Sequence, residues 1–370
     1  MQCLSVFFAV AALWLIWLTT DPITLTEQLR RLAADPQTVQ TLLSVELGPM
    51  EEDTLSLLDR LLLAQSPLLT IPGSADLLSP PDNVQISPPA EPSDPDEPEE
   101  NADLPPASTT APDGIIPKTM VAGTSAKYIN SGTLSIYNHT GYSVNIDTLL
   151  NAAPKLSNAN DGPLVLIYHS HATEAYTMDG SDLYEESDSY RTLNTDQNMV
   201  RIGREIAQIL ESSGVQVIHD TTLYDYPRYS EAYTRSGAAL AKWLEQYPSI
   251  QLVIDVHRDA LAASDGTLYK TVAGTVDNCA QIMMVMGSDA GGTKHPNWKV
   301  NLSLALSIQK AVTDKWATLA RPIVLRTSRF NQQQSTGAIL VEVGTHGNTL
   351  QEAITAARLF GRTLAEMITT

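Results

Sequence analysis

The chain has 370 residues, of which 43% are hydrophobic and 18% are charged, and its formal net charge is −19. This length allows two domains, and the apolar fraction is that of a globular protein. The acidic balance and the lack of a basic patch argue against nucleic acid as a partner. The two cysteines, Cys3 and Cys279, lie in separate apolar segments, so we expect no disulfide.

The chain begins with an apolar segment. From Cys3 to Leu18 it carries no charge, and its length is at the short end of what spans a bilayer. A cleaved signal peptide is the alternative, but the residues after Leu18 contain no small-x-small cleavage site. We predict an uncleaved transmembrane anchor at residues 1–20, and no Lys or Arg precedes it to set its orientation.

The next two segments differ in composition. Residues 21–70 carry leucines at helical spacing, which predicts a juxtamembrane helical region. Residues 71–120 are acidic and rich in proline, since twelve of the 22 prolines lie between Pro72 and Pro117. A segment of this composition cannot bury enough apolar area to fold, so we predict a disordered linker that holds the rest of the chain away from the membrane.

Residues 121–160 are predicted to form an N-terminal β arm. Two short segments, 133–137 and 143–147, alternate apolar and polar residues, and a turn containing Gly141 separates them. The pattern predicts a hairpin, or short strands that lead into a brief helix, packed against the domain that follows.

From residue 161 to residue 370, apolar runs of strand length alternate with segments of helical periodicity. The predicted strands are 164–168, 215–218, 249–256, 270–276, 281–287, 323–326 and a last one around Glu342. The predicted helices are 195–213, 238–247, 301–317 and 348–367. Such alternation predicts an α/β fold with a mostly parallel or mixed sheet and helices on both faces.

Three of the predicted strands carry ionisable side chains at or near their carboxyl ends. The first precedes His169, His171 and Glu174, the second precedes His257, Arg258 and Asp259, and the third contains Glu342. Open α/β sheets build their sites at the carboxyl ends of their strands. We therefore expect these side chains to form one site.

The residue types point to a metal. His171, Glu174 and His257 are two imidazoles and one carboxylate, which is the ligand set of a catalytic zinc with one position open for water. His169 is the alternative to His171 as a ligand, and the His-x-x-Glu spacing favours His171. Glu342 is the only charge in an otherwise apolar run; because a buried lone carboxylate is costly, we predict that it acts beside the metal as the general base.

Other polar residues near these strand ends have secondary roles. Arg258 is predicted to stabilise the oxyanion, with a salt bridge to Asp255 or Asp259 as the structural alternative. Asp255 lies two residues before His257, hence on the same strand face, and is a candidate to orient that imidazole. His346 is a candidate for substrate contact. The remaining histidines are interpreted as surface or packing residues: His139, His219 and His295.

Three motifs together resemble a known family. The runs 166–176, 254–259 and 340–344, the last followed by Asn348-Thr-Leu, look like those of the stage II sporulation protein P family. The resemblance covers the chain from about Thr133 to the C-terminus, with the motifs in the same order and spacing. One departure is Asn331-Gln-Gln, where we expect an acidic residue after Asn-Gln, so substrate contacts from that loop are in doubt.

That family is similar to zinc-dependent N-acetylmuramoyl-L-alanine amidases, whose fold resembles that of zinc carboxypeptidases. The resemblance implies Zn²⁺ as cofactor, peptidoglycan as substrate, and cleavage of the N-acetylmuramoyl-L-alanine amide during sporulation engulfment, with a second activity on peptide cross-links. It also implies a catalytic domain outside the cell membrane. The implied partners are a lytic transglycosylase, stage II sporulation protein D, and a membrane scaffold, stage II sporulation protein M.

Two alternatives to the amidase remain open. A zinc carboxypeptidase-like wall peptidase would need a cation to hold a free carboxylate, and Arg191, Arg326 and Arg329 are candidates. A non-catalytic, tethered scaffold that binds the wall would have no reason to keep a buried Glu342.

Overall fold

The computed structural model describes residues 114–158 and 162–370. The predicted anchor, the predicted juxtamembrane region and residues 71–113 of the predicted linker lie outside the described residues. Among the helices of the described part, none combines the length and the apolar character that a bilayer crossing requires.

The described residues form ten strands and five α-helices. The strands are β1 (Ile115–Lys118), β2 (Tyr128–Ser131), β3 (Leu134–Asn138), β4 (Val165–Tyr168), β5 (Val217–His219), β6 (Leu252–Asp259), β7 (Leu268–Thr271), β8 (Ile282–Met286), β9 (Ile323–Leu325) and β10 (Ala338–Thr345). The helices are α1 (Ile146–Asn151), α2 (Met199–Ser212), α3 (Ala232–Gln246), α4 (Trp298–Lys315) and α5 (Leu350–Thr369), and a short 3₁₀ helix spans Gln332–Gln334.

Eight of the strands form one mixed sheet in the order β2-β3-β9-β8-β10-β6-β4-β5. Its neighbouring strands run parallel except in the pairs β2–β3 and β8–β10. The central strands β4, β6, β8 and β10 are buried along their whole length, as expected for strands covered on both sides. The other two strands, β1 and β7, pair with each other in a separate parallel ribbon. The predicted α/β fold with a mixed sheet is confirmed.

The two faces of the sheet are covered differently. Residues of α2, α4 and α5 pack with Val165, Ile167 and Val341 in the largest hydrophobic cluster, and we call this side the three-helix face. On the opposite side, Leu240 of α3 packs with Val253, and we call it the α3 face. Since side chains alternate along a strand, Asp255 and His257 lie on the α3 face with Val253.

Local sequence signals set the helix ends. At the start of α2, the Asn198 side chain accepts a hydrogen bond from the Val200 amide, so the helix begins at Met199, four residues after the predicted start. At α5, Thr349 and Glu352 form a reciprocal capping box.

The N-terminal arm differs from the prediction. The hairpin partner of β3 is β2, on the other side of Gly132, whose φ of +59° suits a tight turn. The segment 143–147, predicted as a strand, instead leads into α1, which the Asn145 side chain caps and which is the brief helix of the second predicted alternative. Because β3 pairs with β9, the arm extends the main sheet, and β1 occupies the end of the predicted linker.

The strands that carry the predicted site are neighbours. In the order β10-β6-β4 all three run parallel, so their carboxyl ends lie at one edge of the sheet. The register places Glu342 of β10 directly beside His257 of β6. Both residues lie inside their strands, since β6 extends to Asp259, three residues past the predicted end. On the α3 face, the helix begins at Ala232, six residues before its predicted start.

Candidate metal centre

The structure brings His171, Glu174 and His257 together. One ligand atom from each lies within 4.8 Å of the others, and all three side chains are buried. Each imidazole turns Nδ1 toward a different oxygen of the carboxylate: His171 Nδ1 is 3.7 Å from Glu174 Oε1, and His257 Nδ1 is 3.5 Å from Glu174 Oε2. Two nitrogen donors and one oxygen donor at these separations match the ligand set of a catalytic zinc.

A buried carboxylate oxygen beside this group lacks a hydrogen-bond partner. Among the described residues, Glu342 Oε2 is buried and unpaired. Native proteins rarely leave such atoms unsatisfied unless an ion or a water belongs there. The residues present therefore fit a metal ion held by His171, Glu174 and His257.

The far side of the His257 ring is held by a second carboxylate. His257 Nε2 lies 3.0 Å from Asp255 Oδ1 and 2.8 Å from Ser170 Oγ, and Ser170 Oγ donates to Asp255 Oδ2 over 2.6 Å. Burial lowers the pKa of His257, but Asp255 and then Glu174 overcome this and raise it well above 6.5. Asp255 thus orients the imidazole as predicted, with Nδ1 facing the other ligands.

Glu174 is held as a carboxylate. Burial raises its pKa, but hydrogen bonds from His171 and His257 and the charge of Arg258 lower it well below 4.5. The Arg258 amide donates to Glu174 Oε2 over 3.3 Å, and Arg191 Nη2 lies 3.5 Å from Glu174 Oε1. An ionised carboxylate at this position is the form that binds a metal.

Glu342, in contrast to Glu174, favours its protonated form. Burial raises its pKa to about 8; the charge on His257 opposes this shift, and Asp259 and Glu174 add to it. It is 5% exposed and sits beside His257 on the neighbouring strand. A carboxyl with this pKa can both take and release a proton near neutral pH.

Arg258 makes contacts that the sequence did not predict. Its Nε donates to the Ala175 carbonyl (2.9 Å) and its Nη2 donates to the Tyr190 carbonyl (3.2 Å). Both carbonyls belong to the loop after β4. Of the two acids in the predicted structural alternative, Asp255 Oδ1 lies 3.0 Å from His257 Nε2 and Asp259 Oδ2 lies 2.6 Å from Arg321 Nη1, and a salt bridge from either to Arg258 stays a prediction.

His169, the alternative ligand, lies away from this group. It sits on the three-helix face, where Nδ1 donates to the Val256 carbonyl over 3.0 Å and Nε2 lies 2.9 Å from His219 Nε2. Burial lowers the pKa of His169 to about 4, and burial with the charge on His169 lowers that of His219 to about 3. His169 therefore belongs to a neutral, packed pair and not to the metal centre, and His219 is a packing residue as predicted.

His346 lies near the centre but is not among the three grouped ligands. Burial and the charge of Arg258 lower its pKa to about 4, and its ring centroid is 5.0 Å from that of Tyr190. Of the other histidines, His295 is fully buried and His139 is partly buried.

The 3₁₀ loop with the unusual Asn331-Gln-Gln sequence serves the fold. Asn331 Nδ2 donates to the Tyr233 carbonyl, and Gln332 Nε2 donates to the Val285 carbonyl. Gln332 Oε1 also accepts from the Gly287 amide. These amide side chains tie the loop to α3 and β8.

Three residues at the centre escaped the sequence analysis. Ser170 lies between the two candidate histidines. It follows Tyr168 by two residues, so both side chains share one face of the strand, and this signal could have placed Ser170 on the α3 face. Tyr233 packs against His171, with ring centroids 5.2 Å apart, and was missed because the predicted helix began too late. Tyr229 stacks on His171 from a loop that has no periodic pattern. Arg191 was named only as a candidate for holding a free carboxylate.

Comparison with known proteins identifies the family. The model of the family described as stage II sporulation protein P matches residues 93–367. Stage II sporulation protein P of Bacillus subtilis (strain 168) is 26% identical over 225 residues, which are 58% of this chain and 53% of that protein, so the match spans about half the length of this relative.

Solved structures of N-acetylmuramoyl-L-alanine amidases are similar at a lower level. AmiC2 of Nostoc punctiforme is 14% identical, with a TM-score of 0.33 over 56% of this chain and 97% of that one. The amidase from Clostridium difficile 630 is 18% identical, with a TM-score of 0.33 over 56% of this chain and 94% of that one. Because these TM-scores are low, the assignment rests on the sequence match. The chain belongs to the stage II sporulation protein P family.

Proposed function

We propose that this protein is a zinc-dependent peptidoglycan hydrolase that cleaves the N-acetylmuramoyl-L-alanine amide during sporulation engulfment, with a second activity on peptide cross-links. The observation that carries the proposal is the convergence of His171, Glu174 and His257 within 4.8 Å, with Glu342 in register beside His257. A scaffold that only binds the wall would gain nothing from burying these four side chains, since buried ionisable groups are costly.

The proposed ligands of zinc are His171 Nδ1, His257 Nδ1 and the Glu174 carboxylate. Zinc bound there would supply a Lewis acid that polarises a carbonyl and makes water more acidic. Asp255 and Ser170 hold the His257 ring so that Nδ1 points to the site.

The proposed general base is Glu342. Its carboxylate form takes the proton of the attacking water, and the resulting acid gives a proton to the departing amine of L-alanine. In the metal-free protein burial is the main cause of its raised pKa; a bound cation beside it would lower that pKa and favour the carboxylate form that the first step needs.

The proposed role of Arg258 is to position Glu174. Its amide donates to the Glu174 carboxylate, and its guanidinium holds two carbonyls of the same loop. Stabilisation of the oxyanion by Arg258 stays a prediction.

We further propose the cellular setting that the sequence predicts. The anchor at residues 1–20 and the linker at 71–120 would hold the catalytic domain outside the cell membrane, next to the wall. The partners are a lytic transglycosylase, stage II sporulation protein D, and a membrane scaffold, stage II sporulation protein M.

The test is mass spectrometry of the fragments that the purified protein releases from sacculi, with and without a metal chelator. We expect free peptides with N-terminal L-alanine and glycan strands without peptides, both abolished by the chelator and restored by Zn²⁺. Release of C-terminal amino acids alone would support the carboxypeptidase instead, and binding to sacculi without release would support the scaffold.

A further inference from the structure

The loop between β5 and α3 places a tyrosine over the candidate metal centre. Tyr229 stacks on the His171 ring, with ring centroids 4.5 Å apart and an interplanar angle of 29°. Its hydroxyl lies 3.3 Å from His171 Nδ1, the ring nitrogen that faces Glu174. No step of the proposed reaction uses this side chain.

The separations suit a fourth donor. Two donor atoms at about 2.0–2.1 Å from one tetrahedral zinc lie about 3.3 Å apart. The hydroxyl of Tyr229 is at this distance from His171 Nδ1, and the two carboxylate contacts of Glu174, at 3.7 and 3.5 Å, are only slightly longer. The hydroxyl therefore lies at the distance from His171 Nδ1 that a further donor on the same metal would have.

An arginine holds Tyr229 against the centre. The guanidinium carbon of Arg191 lies 4.4 Å from the Tyr229 ring centroid, and Arg191 also contacts Glu174 Oε1 at 3.5 Å. Asp225, in the same loop as Tyr229, pairs with Arg191 at 2.9 Å and accepts hydrogen bonds from Thr173. The loop is thus tied to the exit of β4, where His171 and Glu174 lie.

The rest of the loop is clamped, but Tyr229 itself is not enclosed. Arg235 of α3 donates to the carbonyls of Tyr224, Arg228 and Ser230, which holds the loop backbone. Tyr229 is 37% exposed, so its side chain has room to swing out into solvent. A fixed backbone with a mobile side chain suits a group that enters and leaves one position.

We propose that the Tyr229 hydroxyl caps the open coordination position of the metal when no substrate is bound, and that the scissile carbonyl of the wall amide displaces it. This rests on the proposed zinc hydrolase function. A cap of this kind strengthens metal retention in the resting protein and weakens substrate binding, because the substrate has to remove the hydroxyl first.

The test uses Tyr229→Phe, which keeps the stacked ring and removes only the hydroxyl, in the full chain. We expect Zn²⁺ affinity, measured by competition with a chromophoric chelator, to fall about tenfold. We also expect the visible spectrum of the Co²⁺-loaded protein to change, since it reports the donor set. The KM for a disaccharide-peptide substrate should fall while kcat is kept.

Tyr226→Phe is the matched control, because Tyr226 lies in the same loop and is 50% exposed. It should leave Zn²⁺ affinity, the Co²⁺ spectrum and KM unchanged. An unchanged affinity and spectrum in Tyr229→Phe would overturn the cap, and so would a fall in kcat without a change in metal affinity. A wild-type chain that binds Zn²⁺ no better than His257→Ala would instead overturn the proposed function itself.

Discussion

The chain places two pairs of histidines near the end of β4, and they have opposite properties. His169 and His219 face each other 2.9 Å apart on the three-helix face, where burial lowers both pKa values, to about 4 and about 3. His171 and His257, with ring centroids 5.0 Å apart, share Glu174, and the pKa of His257 is raised well above 6.5 despite its burial.

The difference lies in the carboxylates and not in the imidazoles. His169 and His219 are both held neutral, mainly by burial. At the second pair, Glu174 contacts both rings and Asp255 contacts His257. Carboxylates that attract a proton in the metal-free protein attract a divalent cation for the same electrostatic reason, so only the second pair has the chemistry of a metal centre.

The largest expected effect separates the two pairs directly. His171→Ala should lose the bound zinc and all measurable hydrolysis, because one of three ligands is removed. His219→Ala should keep one zinc per chain, measured by elemental mass spectrometry after dialysis. Equal loss of zinc in both variants would contradict the distinction drawn between the pairs.

Glu342→Gln tests whether the site that contains His171 and His257 needs a separate general base. We expect kcat to fall by about 10²–10⁴-fold, the usual contribution of a general base, while the zinc content stays the same. The measurement is chromatography of the peptides released from sacculi. Activity within tenfold of the wild type would assign proton transfer to another residue.

Asp255→Asn tests the carboxylate that only the second pair has. The amide keeps the shape but removes the charge next to His257 Nε2, so zinc affinity should fall by about 10–100-fold. Competition with a chromophoric chelator measures it. Asp220→Asn is the control, because Asp220 accepts hydrogen bonds from Tyr224 and Trp243 away from the metal ligands, and should leave the affinity unchanged.

Gly203→Ala tests the packing of the first pair. A Cβ at this position of α2 would lie 2.6 Å from ring atoms of both His169 and His219, so the free energy of unfolding should fall by about 2–3 kcal/mol with zinc content unchanged. Denaturant titration measures the free energy of unfolding of Gly203→Ala alone and of the double variant that also carries His219→Ala. His219→Ala removes one of the two rings that the new Cβ would contact. A double variant that regains none of the stability lost through that ring would argue against this packing.

The last expected effect concerns pH. In the metal-free protein the pKa of Glu342 is about 8, raised chiefly by burial from 4.5, so between these values the folded state holds a proton that the unfolded chain has released. The free energy of unfolding should therefore fall as pH rises from about 4.5 to about 8, by up to about 1.4 kcal/mol per pH unit. Glu342→Gln should flatten this dependence in denaturant titrations at several pH values, and an unchanged slope would place its pKa near the ordinary value.

Much of the secondary structure followed from local pattern. The apolar run before His169 and the last helix were recognisable, because a strand buried on both faces and a helix each leave a periodic pattern in neighbouring residues. The hairpin partner of β3 was not, because the segments on both sides of it are short and β pairing depends on which partner the turn at Gly132 brings near. The starts of α2 and α3 were displaced by four and six residues for a similar reason: helical periodicity fades where capping and tertiary packing decide the ends.

The sequence by itself determined the ligand types, their order along the chain and the strand ends at which they occur. The tertiary structure decided between His171, which the His-x-x-Glu spacing favoured, and His169. Side chains alternate along β4, so His169 lies on the three-helix face and Ser170 lies on the α3 face. The chain turns before His171, so His169 and His171 lie on opposite sides of the sheet although they are two residues apart. It also decided that Glu342 meets His257, because that contact depends on the register between strands far apart in sequence, which no local pattern encodes.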